Sequence, residues 1–543
     1  METESKTSHP RPFSIKLWPP SQGTRLLLVE RMANNLSTPT IFSRKYGLLG
    51  KEEANEKAKH IENVAFAAAN EHHQNEPDGD GSSAVQLYAK ESSKLMLEVL
   101  KKGPTKSIVD GEVLVAPKTT VFDISGGRRA FIEADEAEEL LRPLAEEGNS
   151  YTKICFSNRS FGVGAANVAA PILSSIKDNL KEVDLSDFIA GRQESEALEV
   201  MKIFSTALEG SLLRFLNLSN NALGEKGVRA FGALLQSQKN LEELYLMNDG
   251  ISEEAAQAVC ELVPSTEKLK VLHFHNNMTG DEGAVAIAEV VKRSPLLEDF
   301  RCSSTRIGSE GGVVLAEALA TCTELKKLDI RDNMFGEEAA IALSKALGRL
   351  PGLTEVYLSY LNLEDEGTIA ICKALKESAP SLQVLEIAGN DISVKGACAL
   401  SALLSSKDSL TNLNVSENEL KDEGAILISK VLEKGSPQLK ELDMSTNSIR
   451  RAGAHAIAQA IASKPDFKLL NINSNFISEE GIDEVRSILK AGKNSIDVLG
   501  PLDENDPEGE SEDGEASEEG EEHGEEEEPE LESKLQHLNV DKD

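Results

Sequence analysis

The sequence predicts an α/β solenoid of about twelve stacked strand–turn–helix units, and three observations lead to it. The pattern L-x-x-L-x-L-x-x-N-x-L recurs through the middle of the chain. Its first position falls at Leu213, Leu241, Leu269, Leu297, Leu325 and Leu353, 28 residues apart, and then at Leu382, Leu410, Leu439 and Phe467 with spacings alternating between 29 and 28. Each copy runs from a short apolar strand, such as LRFLNLS from Leu213, into an amphipathic helix, such as EKGVRAFGALLQS from Glu225. Neither element buries its apolar side alone, so neighbours must stack, with strands forming one wall and helices the other.

In chain order, residues 1–9 carry no periodicity and are expected to be flexible. Residues 10–103 read as a small all-helical domain. In KEEANEKAKHIENVAFAAANEH, the residues Ala54, Ala58, Ile61, Ala65 and Ala68 recur at helical spacing, and AVQLYAKESSKLMLEVLKK continues the pattern after a polar linker. Trp18, the only tryptophan in the protein, stands directly before Pro19 and Pro20. Proline disfavours helix at the residue before it, so Trp18 lies on an extended strip. Two readings of Trp18 stand side by side: an anchor for a partner, or a plug in the core of its own helices.

Residues 104–150 are too irregular for a repeat and end in the helical stretch ADEAEELLRPLAEEGN, which reads as the linker and N-terminal cap of the array. The repeats then occupy 151–500, opening with weaker copies at Tyr151 and Leu180 and closing with GKNSIDVLGPL. Their ninth position holds Asn221, Asn277, Asn333, Asn390, Asn418, Asn447 and Asn475. A buried amide there can bond backbone groups of adjacent turns, a structural role. In residues 501–543, 20 Asp and Glu stand against 2 Lys, a composition that predicts disorder.

Composition excludes several functions. The chain carries 57 basic and 92 acidic residues and a formal charge of −35, of which the tail supplies −18, so it is not expected to bind nucleic acid. No apolar run approaches a membrane span or a signal peptide, and a soluble intracellular protein without direct membrane insertion is expected. The six cysteines form no C-x-x-C pair and read as small buried residues. His273 and His275 alternate on one strand without a third ligand, so no metal is expected. No phosphate-binding loop, nucleophile elbow or H-E-x-x-H motif is present, no cofactor is expected, and Gly126-Gly127-Arg128-Arg129 reads as a turn. The strand wall leans acidic through Glu242, Glu243, Glu298, Asp299, Glu441 and Asp443, a charge that would steer a basic partner.

Two departures from the repeat stand out. The second unit is 33 residues long, and its loop SDFIAGRQESEAL carries Arg192 clear of the wall. In the fourth unit, LYLMNDGIS, Asp249 takes the place of the ladder asparagine and Asn248 precedes it on the open edge. On the residues alone, a structural and a binding role remain open for both.

The sub-motifs LSDFIAGR (185–192) and LYLMNDG (244–250), set in leucine-rich repeats of ribonuclease-inhibitor type and followed by a Glu-rich tail, resemble the GTPase-activating proteins of the nuclear-transport GTPase Ran. Residues 10–103 resemble the WPP targeting domain of plant members. The resemblance implies an activator that binds Ran in its GTP form and has no catalytic centre of its own. It implies that Asn248 orders the GTPase's own glutamine, which then positions water, with Arg192 and Asp249 at the Ran-binding site. Arg192 would either pair with the GTPase or brace its loop. It also implies that Trp18, Pro19 and Pro20 target the protein to coiled-coil anchors at the cytoplasmic face of the nuclear envelope, and in division to mitotic structures and the cell plate. Two residues depart from the family pattern: its asparagine pair reads Asn248-Asp249 here, and Glu194 replaces a basic residue. The rival reading is a non-catalytic leucine-rich-repeat scaffold or inhibitor gripping a basic protein.

Overall fold

The computed structural model describes residues 18–20, 22–37, 49–75, 81–102, 120–127, 129–492 and 496–505, and the chain divides into two compact units after Ala116. The expected flexible residues 1–9 and the acidic tail from 506 onward lie outside the described residues.

The first unit contains the helices Gln22–Ser37, Lys51–Asn75 and Ser82–Lys102. The buried face of the second helix runs through Ala54, Ala58, Ile61, Ala65 and Ala69. Ala68, expected on that face, is only half-buried, because the stripe advances by four residues at its last step. Trp18 settles in the core, 3% exposed, with its ring 5.2 Å from Phe66 and 5.8 Å from Tyr88. The Arg25 guanidinium lies 3.6 Å from the centroid of the Phe66 ring and makes a two-pronged ion pair with the buried Glu62, at 2.6 and 2.7 Å. Gly81 takes φ +83° against Trp18, where a Cβ would come within 2.5 Å of the Trp18 Cβ.

The second unit is the solenoid. Thirteen strands, each three residues long, form one parallel sheet in which sequence neighbours are spatial neighbours, and helices connect them. The register stacks equivalent leucines, Leu216 on Leu244 on Leu272, and all three are fully buried. Hydrophobic contact is continuous from Phe122 to Val498. At the closing end, Leu499 bridges to Leu470 after the short helical turn Ile496–Val498.

The segment before Tyr151, expected as a helical cap, is a strand-bearing unit. Val121–Asp123 pairs with Lys153–Cys155 as the first strand of the sheet, and the helix Ala134–Ala145 follows. A separate pair, Ala130–Ile132 with Arg159–Phe161, lies beside it. Three-residue strands are too short to leave a readable alternation, which is why the sequence showed only the helix.

The alternation of 28 and 29 residues goes with a local feature. The two longer units are those whose helices run Glu364–Ser378 and Lys421–Lys434. In each case a buried lysine from the following unit caps the end of the helix. The Nζ of Lys407 donates to the Ala379 carbonyl at 2.7 Å, and that of Lys464 to the Gly435 carbonyl at 2.8 Å. A cation is favourable there because the last carbonyls of a helix have no partner within it.

The ladder asparagines are buried as expected. Asn277 is representative: its Nδ2 donates to the Leu246 carbonyl at 2.8 Å, and its Oδ1 accepts the amides of Asp249 and Ile251, both at 3.0 Å. Asn390 and Asn475 repeat the arrangement on their own neighbours. Asn277→Ala leaves two buried N–H groups unpaired, and at about 1–3 kcal/mol for each such group it should cost roughly 2–6 kcal/mol. Urea unfolding followed by circular dichroism measures this, and an unchanged midpoint would contradict it.

Candidate functional site

The loop after each strand turns left-handed at the eighth position of the unit. That position is Asn158, Asp187, Asn220, Asn248, Asn276, Ser304, Asp332, Tyr360, Gly389, Glu417, Thr446 and Ser474, with φ between 52° and 64° throughout. Asparagine is the residue besides glycine that best tolerates this region, so the backbone alone explains part of its presence. The row runs along one edge of the solenoid, and the side chains of Asn220, Asn248 and Asn276 are exposed on it.

These three amides form a chain. The Nδ2 of Asn276 donates to the Oδ1 of Asn248 at 3.1 Å, and the Nδ2 of Asn248 donates to the Oδ1 of Asn220 at 3.0 Å. An amide has two N–H donors and two acceptor lone pairs. Asn248 thus keeps one donor and one acceptor site, with its plane already fixed by its neighbours. Its own backbone N–H is held by the His275 carbonyl at 3.2 Å. Asn220 and Asn276 did not figure in the sequence reading, although their 28-residue spacing from Asn248 was visible there.

Asp249 corrects an expectation. It is fully buried, so it offers no atom to a docked protein. It serves as the ladder residue of its unit: its Oδ1 accepts the amide of Asn221 at 2.8 Å and its carbonyl accepts the amide of Gly224 at 3.0 Å. Its Oδ2 is buried with no hydrogen-bond partner, and burial pushes the carboxyl well above the ordinary carboxylate range. By register, ladder asparagines carry there an amide that donates to carbonyls.

Arg192 corrects another. Its loop does not lift it clear: the side chain is only 9% exposed. The guanidinium is spent on the first units, donating to Glu133 at 2.7 Å, Glu196 at 3.1 Å and the Ser160 carbonyl at 2.8 Å. The bracing alternative is thus the geometry present. Arg129, from the Gly-Gly turn, forms a two-pronged pair with Asp187 in the same loop.

The wall is less acidic than its residue count suggested, because Glu242, Glu298 and Asp299 are paired with bases. Glu242 meets Lys270 at 2.8 Å and Arg214 at 3.6 Å, and Glu298 meets Lys326 at 2.5 Å. Burial raises the Asp299 carboxyl, but hydrogen bonds from His273 and Arg301 outweigh it and hold the group at about 2. His273 is itself buried rather than displayed on an open face, and burial together with His273 lowers the pKa of His275. In the tripeptide Trp18-Pro19-Pro20, Trp18 is buried, Pro20 half-buried and Pro19 exposed.

Comparison with known proteins agrees with both units. Residues 14–109 match the WPP domain, and 211–232, 378–401 and 408–429 match the leucine-rich repeat. The chain is 65% identical over 541 residues to RAN GTPase-activating protein 2 of Arabidopsis thaliana, covering 99% of each chain. It is 66% identical over the same length to RAN GTPase-activating protein 1 of that plant, again covering 99% of each. Over 99 residues, 18% of this chain, it is 40% identical to MFP1 attachment factor 1 of Solanum lycopersicum, covering 64% of that protein.

Asp249→Asn tests the ladder directly. The folded state holds a proton on Asp249 that the unfolded chain releases near 3.8. Stability therefore falls as pH rises from about 4 towards the raised folded value. The asparagine variant should lose that dependence and be more stable at pH 7 by about 1–3 kcal/mol. Parallel thermal melts between pH 4 and 8 check this, and parallel pH profiles for the two proteins would refute it.

Proposed function

The chain belongs to the Ran GTPase-activating proteins of plants, and on that premise we propose that its edge at Asn248 engages GTP-loaded Ran and orders the GTPase's own glutamine. The protein is an activator that acts on Ran and not an enzyme with a catalytic centre of its own. A small GTPase is slow because its attacking water is poorly oriented and its transition-state charge incompletely stabilised. A glutamine amide from the GTPase needs one donor and one acceptor to be held in a single plane. The half-used amide of Asn248 supplies that pair, and this observation carries the reading. Because Asn220 and Asn276 already orient it, little freedom is lost on docking.

Arg192 acts on this reading as a brace and not as a finger, since its guanidinium is committed to Glu133, Glu196 and backbone carbonyls. Asp249 acts indirectly: its carboxyl group takes the amide of Asn221 and so frames the turn of Asn220, whose side chain orients Asn248. The first unit serves targeting: it binds coiled-coil anchor proteins at the cytoplasmic face of the nuclear envelope, and in division at mitotic structures and the cell plate. Pro19 is the member of the tripeptide that reaches a partner, and Trp18 holds the strip in place.

Asn248→Ala and Asn248→Ser should each lower the single-turnover hydrolysis rate at saturating activator by about a hundred-fold, the scale of losing one oriented transition-state contact. The serine variant guards against misfolding, because Ser304 and Ser474 occupy equivalent positions at φ 53° and 54°. A rate equal to the parent's would sink the mechanism. For targeting, Pro19→Ala should disperse a fluorescent fusion from the nuclear rim while leaving activation in solution unchanged. A fusion still concentrated at the rim would remove Pro19 from the contact.

A further inference from the structure

Beside Asn248 the edge changes character. Two residues after each left-handed position, successive units place Gly250, Met278, Arg306 and Met334. Met278 and Met334 are 46% and 57% exposed, and Arg306 is exposed between them. With Asn248, Asn276 and Asp332 they line a groove of about 510 Å³. Adjacent strands of a sheet lie about 4.8 Å apart, so the three side chains from neighbouring loops fall within roughly 10 Å of one another.

The guanidinium of Arg306 makes no hydrogen bond or ion pair among the described residues. That sets it apart from the bases of the strand wall: Arg214 and Lys270 share Glu242, Lys326 takes Glu298, and Arg331 takes Glu386 at 2.6 Å. The carboxylate in the groove, Asp332, accepts the Ser304 hydroxyl at 2.7 Å. Two exposed thioethers, which adapt readily to a partner's shape, thus flank a cation with no ion-pair partner among the described residues, in one groove with the amide of Asn248.

We propose that this groove is a docking subsite for the GTPase, where a carboxylate of the partner pairs with Arg306 and apolar side chains of the same segment cover Met278 and Met334. The inference rests on the reading that Ran addresses Asn248, and it assigns the partner's chemistry next to that contact. Arg306 is a positioning residue: it sets affinity and register, while the amide of Asn248 serves the chemistry.

The test is single-turnover hydrolysis by GTP-loaded Ran across a range of full-length activator concentrations, with direct titration of binding alongside. Arg306→Glu should raise the half-saturating concentration about ten-fold with a maximal rate within about two-fold of the parent's, and it should flatten the salt dependence. Arg306→Lys should fall between. The double variant Met278→Ser, Met334→Ser should weaken binding while keeping the parent's salt dependence. An Arg306→Glu protein with the parent's half-saturation overturns the proposal. So does a lower maximal rate at unchanged half-saturation, which would place Arg306 in the chemistry. If the parent itself failed to accelerate hydrolysis, the reading of Asn248 would fall, and the binding titration of parent against Arg306→Glu would still decide the docking claim.

Discussion

In seven of the repeats, a buried asparagine amide reaches across to the backbone of the neighbouring loop and holds the turn in which the eighth residue becomes left-handed. The Oδ1 of Asn277 gathers two backbone N–H groups from the preceding loop, while its Nδ2 satisfies a carbonyl there. These groups have no other partner in a buried loop, and leaving them unpaired is costly. The exposed residue that follows the strand therefore sits on a frame fixed from both sides. Asn248 inherits its backbone placement from Asn277 in the next unit, which takes the amides of Asp249 and Ile251, and its side-chain plane from Asn220 and Asn276. A scaffold in which most units repeat that constraint fixes the angle at which each edge residue is presented.

The large features of the fold were legible because they are periodic. Leucines at fixed spacing announced the stacked strands, and the ladder asparagines announced the turns. What escaped the sequence is what three-dimensional competition decides. Arg192 looked like a charge displayed on a loop, yet Glu133 and Ser160, which lie far from it in sequence, claim its guanidinium. Asp249 was expected at the partner contact from the family resemblance, but register places it where the ladder asparagines of other units are buried. Val121–Asp123 escaped because three residues carry no readable alternation. The alanine stripe of the second helix was legible to within one residue, Ala69 instead of Ala68.

Charge shows the same contrast between composition and arrangement. The strand wall leans acidic by residue count, but half of the net −35 belongs to residues 501–543, and carboxylates of the wall such as Glu242 and Glu298 are matched by bases from adjacent strands. Paired charges at fixed spacing contribute little field at a distance. Recognition is then left to short-range features of the edge, where orientation of individual groups matters more than the total.

The core of the helical unit stacks Trp18 on Phe66, and Phe66 under the Arg25 guanidinium that Glu62 holds. Because no other tryptophan exists among the 543 residues, indole fluorescence excited at the red edge of protein absorption reports on that unit alone. The solenoid is silent in the same channel. The molecule thus carries an intrinsic probe by which melting of the helical unit can be followed separately within the intact chain, without a label.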